Sequence, residues 1–390
     1  MTEISTDTRP ARFPELVPMV RPTVEADAEM EVAVKEILRS GMLTNGRYVR
    51  EFEEAACAYL GVGHAVAVSN CTTGLMLVLR CLEVAGDVVV PSFTFMASGH
   101  AIGWAGNRVR FADSDSRTWT LDPDAVAPLV PDAAGVLAVH TFGVPCDTAS
   151  LQELCDSRGV PLIIDAAHGF GSRYPDGTMV GGKGAAEVFS LSPTKTLSTG
   201  EGGLITTNDG ALAAKLRTAR DYGNPGDYDS LFFGLNGRMT EVSGFMGVHA
   251  LKRFSRWLEI RRSLAERYRS RLGGLPGLEV QAVPEGAASS YKDLGIRVDP
   301  ARFGMNRDVL ADRLGRENVS TRKYFSPALH QQTAYRDVPA GAELSVTEEL
   351  AASMITLPLY SHMSARVVDE ICDLIREIHA TAQKAGGKAS

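Results

Sequence analysis

The residues best suited to covalent chemistry lie in Phe189-Ser190-Leu191-Ser192-Pro193-Thr194-Lys195-Thr196-Leu197-Ser198-Thr199-Gly200-Glu201-Gly202-Gly203. Val188 to Leu191 is an apolar run that reads as a short buried strand, and Leu204 to Thr207 reads as a second. Between them stand hydroxyl residues, one lysine and a glycine-rich turn. Glycines let backbone approach closely, so a compact group fits against the Lys195 amine. A primary amine held this way can form a Schiff base with a carbonyl compound. A strand-end lysine can equally cap a turn, so Lys195 alone decides nothing.

Asp165 follows Pro161-Leu162-Ile163-Ile164 and emerges from the core at a strand end. A buried, unpaired carboxylate takes up a proton, so an ionised Asp165 needs a cation such as a protonated pyridine nitrogen. The other reading is an aspartate that caps the next turn. Ser69-Asn70-Cys71-Thr72-Thr73-Gly74 follows another strand and opens a helix. Its free N–H groups and the Thr72 and Thr73 hydroxyls make a phosphate seat, or simply cap the helix. In Pro91-Ser92-Phe93-Thr94-Phe95-Met96-Ala97-Ser98, Phe95 either offers a flat face to a ring or packs in the core. His140 and His168 follow two further strands. Cys71 reads as a structural thiol: the nearest histidine in sequence, His64, precedes the strand whose far end carries Cys71, and a role as nucleophile would need a partner from elsewhere in the chain.

Short apolar runs carry these groups: Ala65 to Ser69, Val88 to Val90, Arg108 to Phe111, Val136 to Val139 and Leu162 to Ile164. They are mostly continuous rather than alternating, which marks an α/β fold with a mainly parallel sheet under crossover helices. Helical periods cover Glu25 to Ser40, Tyr48 to Leu60, Thr72 to Leu82, Phe95 to Trp104, Asp122 to Leu129, Thr148 to Arg158 and Ala211 to Tyr222. Met239 to Leu272 is a long helical stretch, weakly broken near Phe254, leading into a smaller α+β domain. The domains expected are a flexible tail over 1–15, a large domain over 16–250 and a small one over 251–390, fraying from Ala385 to Ser390. Ligands of such sheets bind beyond the carboxyl ends of the strands. Asp165, Lys195, Phe95 and the 69–74 turn all fall there. A lysine, an aspartate, an aromatic face and a phosphate seat are together what pyridoxal phosphate needs.

The chain resembles the DegT/DnrJ/StrS family of sugar aminotransferases, fold-type I enzymes that use pyridoxal phosphate. The marks are Gly41-Met42-Leu43-Thr44-Asn45-Gly46; Ser69-Asn70-Cys71-Thr72; Pro91-Ser92-Phe93-Thr94-Phe95; Asp165-Ala166-Ala167-His168; Phe189-Ser190 ahead of Lys195; Gly200-Glu201-Gly202-Gly203; and Asn236-Gly237-Arg238-Met239-Thr240-Glu241. The likeness runs closely from about Val17 to Leu272 and more loosely beyond.

The resemblance implies that Lys195 holds the cofactor and then shuttles a proton. It implies that Asp165 pairs with the pyridine nitrogen and that His168 lies near the ring and its 3-oxygen. Phe95 would stack on the ring, and Thr72, Thr73 and Ser190 would bind the phosphate. Asn236 would reach the cofactor phosphate of a neighbouring subunit, making a homodimer obligatory. Arg238, Tyr324 and His330 would touch substrate. Arg322, Lys323 and His330 would meet a diphosphate, or form a solvated basic face. The family often has tyrosine at Gly237 and alanine at Gly74. Relatives with histidine for the lysine are dehydratases, and Lys195 argues against that. The implied reaction moves an amino group from L-glutamate or L-glutamine to a keto carbon of a nucleotide-linked deoxysugar. The alternatives are a keto-cyclitol acceptor, as in aminoglycoside-type biosynthesis, and a non-catalytic cofactor-binding regulator or scaffold.

Composition narrows the classes. The 390 residues suit about two domains. Net charge is -7, from 40 basic and 47 acidic residues, and no basic tract suggests nucleic acid. No apolar run approaches the roughly 18 residues of a membrane span, and Met1 to Pro14 lacks a signal-peptide core. Six cysteines without metal-ligand spacing fit reduced thiols, hence a cytoplasmic protein. Ser192-Pro193-Thr194-Lys195 matches Ser-x-x-Lys, but its companion motifs are missing. No P-loop, dinucleotide fingerprint or His-Glu-x-x-His occurs.

Overall fold

The structure, a computed structural model, describes residues 10–339 and 343–386. Seven strands form one sheet: β1 (His64–Val68), β2 (Asp87–Pro91), β3 (Arg108–Ala112), β4 (Gly135–Val139), β5 (Leu162–Asp165), β6 (Ala186–Ser190) and β7 (Gly203–Thr207). Their spatial order is β1-β7-β6-β5-β4-β2-β3. β7 is antiparallel to both β1 and β6, and every other pairing is parallel. Six strands therefore share one direction. Because β7 alone is reversed, the β6–β7 connection stays at the carboxyl end of β6, and Lys195 stays with it.

Side chains of each strand alternate between two apolar layers. Val66, Val88, Leu137, Ile163 and Val188 pack under helices Cys71–Cys81, Met96–Trp104 and Gly210–Ala219. Ala67, Val89, Ala138, Ile164 and Phe189 pack under helices Arg47–Leu60, Thr148–Asp156 and Glu241–Leu272. Burial on both faces is the reason these strands read as continuous apolar runs.

Helix Glu241–Leu272 is unbroken, contrary to the break expected near Phe254. Phe254 is buried against Phe170 and Tyr59, while the neighbouring Lys252 and Arg253 pair with Glu29 and Glu25 on the outer face. The polar residues are one side of a helix, not its end. The helix expected over Asp122 to Leu129 is only the turn Pro123–Val126. At the start of the long helix, Glu241 accepts backbone N–H bonds from Gly46, Tyr48 and Val49 at 2.8, 2.8 and 3.0 Å. Two of the motifs that carry the family likeness, Gly41 to Gly46 and Asn236 to Glu241, are thus a structural clasp.

The small domain holds an antiparallel sheet of β8 (Leu278–Val280), β9 (Leu294–Val298) and β10 (Met354–Leu357). Helices Arg307–Arg316 and Ala365–Gly386 and the end of the long helix complete its core. Phe13, 4% exposed, belongs to that core, and Arg12 pairs with Glu377 at 2.9 Å. The expected tail over 1–15 therefore ends before Arg12; residues 1–9 lie outside the described ones. Ala385 and Gly386 are helical rather than frayed, and 387–390 lie outside the described residues. Leu329, Tyr335 and Leu344 pack into the large-domain layer, so the chain crosses back after entering the small domain. Among the described residues no helix is long and apolar enough to cross a membrane.

Candidate active site

The β6–β7 connection can fold tightly because Gly203 has no side chain. A Cβ there would lie 2.5 Å from Asn70 C and 2.7 Å from Cys71 N. The start of helix Cys71–Cys81 is thereby held against the strand end that carries Ser190. Asn70 caps that helix, its side chain accepting from Thr73 N–H at 2.8 Å. The N–H groups of Cys71 and Thr72 have no partner among the described residues, and nor does the Thr72 hydroxyl. Ser190 stands half-buried at the β6 end. Free donors at a helix N-terminus suit an anion.

Gly74 sits one turn along, where a Cβ would come 2.7 Å from Val188 Cγ1. The glycine that departs from the usual alanine thus seats the helix directly on β6. At Gly237 a Cβ would meet Thr73 Cγ2 at 3.1 Å and Leu77 Cδ1 at 3.3 Å, so this chain closes that side with backbone where an aromatic is common.

Asp165 ends β5 and is 4% exposed. Oδ2 accepts from Ser98 Oγ at 2.7 Å, and Oδ1 from Ala167 N–H at 3.0 Å. Burial pushes its carboxyl above the usual range, while the Ser98 and Ala167 hydrogen bonds and the Lys195 charge pull it down. Burial draws Lys195 down to about 8, helped by the charge of Lys292. Asp165 and Lys195 feel each other's charge yet form no ion pair. Lys195 Nζ makes no hydrogen bond among the described residues. A buried acid and a half-buried amine that feel each other's charge without closing on each other fit a ring with a basic nitrogen at one side and an aldehyde at the other.

His168 accepts the Phe142 N–H on Nδ1 at 3.1 Å, so its proton is on Nε2. Burial, Lys195 and Lys292 hold it well below the usual histidine range, and the ring is neutral. Its plane stacks on Phe142 at 6.1 Å. Phe95 is 50% exposed at the start of helix Met96–Trp104, which leaves a face free for a ring. Cys71 is buried, its Sγ 3.8 Å from Asp165 Oδ1, and burial pushes the thiol well up; it packs and does not attack.

The small domain enters this site through residues 289–293, which the sequence does not mark. Ser290 Oγ donates to the His168 carbonyl at 2.6 Å. Lys292 and Asp293, each 3% exposed, pair at 2.9 Å, and Lys292 Nζ lies 6.0 Å from the Tyr324 ring centre. Tyr324 is half-buried and 6.2 Å from Phe142, which brings it to the His168 side. Ser98 was also unmarked; only its place at the end of the Pro91 to Ser98 stretch signals it.

Three other substrate candidates, His330, Arg238 and Lys323, have side-chain partners of their own. His330 has Nδ1 2.7 Å from Ser92 Oγ and Nε2 3.3 Å from Glu348. Arg238 pairs with Asp221 at 2.5 Å and lies over Tyr222. Lys323 pairs with Asp308 at 2.6 Å. Arg322 is exposed and has no side-chain partner among the described residues. Asn236 is exposed, and its side chain is likewise free. A cavity of about 790 Å³ between His100, Trp104, Arg110 and Tyr335 is not lined by any of the catalytic candidates.

This sheet, with its amine and carboxylate at adjoining strand ends, defines a fold-type I aminotransferase dependent on pyridoxal phosphate. Comparison with known proteins narrows the class. The chain belongs to the DegT/DnrJ/EryC1/StrS aminotransferase family, whose profile matches residues 24–376. It is 27% identical over 363 residues to dTDP-4-amino-4,6-dideoxy-D-glucose transaminase of Escherichia coli, covering 92% of this chain and 98% of that one. It is 31% identical to spore coat polysaccharide biosynthesis protein SpsC of Bacillus subtilis, covering 88% and 93%. The solved structure of DesI in the presence of its TDP-sugar product matches with a TM-score of 0.90 and 36% identity, over 97% of each chain.

Proposed function

We propose that the protein transfers an amino group from L-glutamate or L-glutamine to a keto carbon of a nucleotide-linked deoxysugar. One observation carries the reading: Lys195 and Asp165 stand unpaired at neighbouring strand ends, beside a helix N-terminus with free donors. The relatives' names, sugar transaminases and a protein seen with a TDP-sugar product, support the acceptor class. When bound, pyridoxal phosphate supplies the electron-withdrawing ring that makes a neighbouring C–H acidic.

The chain's own residues supply the rest. Asp165 would hold the pyridine nitrogen protonated. Lys195 would hold the aldehyde carbon and would then move a proton to and from the reacting carbon; with the amine near 8 it can exchange protons close to neutrality. The free N–H groups of Cys71 and Thr72, with Thr72, Thr73 and Ser190, hold the phosphate. Phe95 covers one ring face. The neutral His168 would donate through Nε2 to the cofactor's 3-oxygen. A homodimer places Asn236 of one protomer at its partner's site, which accords with its exposure. All six cysteines are free thiols, in keeping with a cytoplasmic setting.

The test is the half-reaction run backward. Cofactor-loaded protein is offered amino sugars on a nucleotide, free aminocyclitols and L-glutamate, and its visible spectrum is followed. A nucleotide-linked amino sugar and glutamate both change the colour on this reading. A response to aminocyclitols alone favours the keto-cyclitol acceptor. No response to any amine returns the protein to a regulator or scaffold.

A further inference from the structure

Behind Asp165 lies a short directed chain of hydroxyls. Ser98 Oγ is 2.7 Å from Asp165 Oδ2 and 3.0 Å from Thr94 Oγ1. An ionised carboxylate only accepts, so the single Ser98 proton points at Asp165. Ser98 then accepts from Thr94, and the order is Thr94 to Ser98 to Asp165. Thr94 and Ser98 are 1% and 0% exposed, so water does not compete for either.

The rest of the Asp165 shell is weaker. Ala167 N–H donates to Oδ1 at 3.0 Å, and the Cys71 thiol lies 3.8 Å away. The ionisable groups that face the carboxylate are Cys71 on helix Cys71–Cys81, His140 at the end of β4 and Lys195 on the β6–β7 connection. None of the three forms an ion pair with it. Before a pyridinium arrives, the Ser98 hydroxyl is the shortest donor that keeps this buried carboxylate charged, and a second hydroxyl behind it strengthens that bond.

We propose that Ser98, polarised by Thr94, is a positioning residue that aims the Asp165 carboxylate at the pyridine nitrogen of pyridoxal phosphate and holds it ionised. The inference rests on the pairing of Asp165 with that nitrogen. It gives the Pro91 to Ser98 stretch a second task besides presenting Phe95. The two hydroxyls are four residues apart and bracket the start of helix Met96–Trp104, so one turn of chain delivers both an aromatic face and the support of the acid.

The experiment compares cofactor binding by apo protein across pH in Ser98→Ala, Ser98→Thr, Thr94→Val and Asp165→Ala. Removing the donor destabilises the carboxylate, so Asp165 takes up a proton at higher pH and the pyridinium loses its partner first on the acid side. Ser98→Ala is expected to weaken cofactor binding about 10- to 100-fold and to move the acid-side midpoint upward. Ser98→Thr keeps the hydroxyl and restores both. Thr94→Val shifts the midpoint in the same direction by less. If Asp165→Ala cripples binding while Ser98→Ala leaves affinity and midpoint unchanged, the role of Ser98 is overturned and the site assignment stands. If Asp165→Ala also leaves binding intact, both fall together.

Discussion

Lys292 lays its charge beside Lys195 while spending its own hydrogen bonds on Asp293, so only one of the two site lysines has a partner. The solitary one, Lys195, is drawn down to about 8, first by burial and then by the charge of Lys292. On the proposed function, Lys195 would meet the cofactor aldehyde as the free amine. The rate of reconstitution of apo protein should therefore rise with pH to a plateau above about 8. Replacing the pair together, Lys292→Met with Asp293→Asn, removes the neighbouring charge without stranding a carboxylate. Lys292 lowers the Lys195 pKa, Asp293 raises it by less and burial is unchanged, so the midpoint should move up only slightly. The single change Lys292→Met strands Asp293 in the interior and should cost about 3–5 kcal/mol of stability, read from the denaturant midpoint.

Lys195→Ala should abolish turnover and the visible absorbance of the cofactor complex. The fold should survive, because the amine makes no hydrogen bond among the described residues and its burial is itself unfavourable. The check is a melting temperature equal to or above that of the parent apo protein, with activity lost.

Gly203→Ala and Gly200→Ala separate close approach from backbone strain. A methyl at 203 meets the backbone of Asn70 and Cys71 at 2.5–2.7 Å and must push the helix start away. Cofactor affinity should fall at least about tenfold as the phosphate seat opens. At Gly200 φ is +80° with nothing within 4 Å, so alanine should cost only about 1–2 kcal/mol of strain and leave affinity alone. Titration of apo protein with pyridoxal phosphate distinguishes them.

Glu241→Gln tests the clasp at the head of the long helix. The carboxylate takes three backbone N–H bonds, from Gly46, Tyr48 and Val49, at 3% exposure. An amide turns one oxygen into a donor that faces N–H groups. Loss of about 1.5–3 kcal/mol is expected, seen as a lower denaturant midpoint at unchanged slope.

Mixing two defective proteins tests the shared site. Lys195→Ala and Asn236→Ala protomers, each inactive or weakened as homodimers, should recover about a quarter of parental activity after joint refolding. Random pairing makes half of the dimers mixed, and each mixed dimer has one intact site. Recovery no greater than the sum of the two parents would mean that Asn236 does not serve a neighbour.

What could be read along the chain was whatever is local. Continuous apolar runs announce strands buried on both faces, because burial selects residue type one position at a time. Lys195 in its glycine turn and Asp165 behind Pro161 to Ile164 could be picked out for the same reason: each shows its oddity within a few neighbours. The long helix misread near Phe254 marks the limit of such reading, since Lys252 and Arg253 look like an interruption until Glu29 and Glu25 are seen opposite them. Everything that depends on which distant segments meet came from the tertiary structure. The reversed β7 keeps Lys195 at the sheet edge of Asp165. Ser98 reaches that acid from 67 residues away. Residues 289–293 bring a second lysine into the site from another domain, and Ser92 and Glu348 become the partners of His330. Side-chain chemistry is written in the sequence, but the partner that completes or silences each group is chosen by packing, which no local window contains.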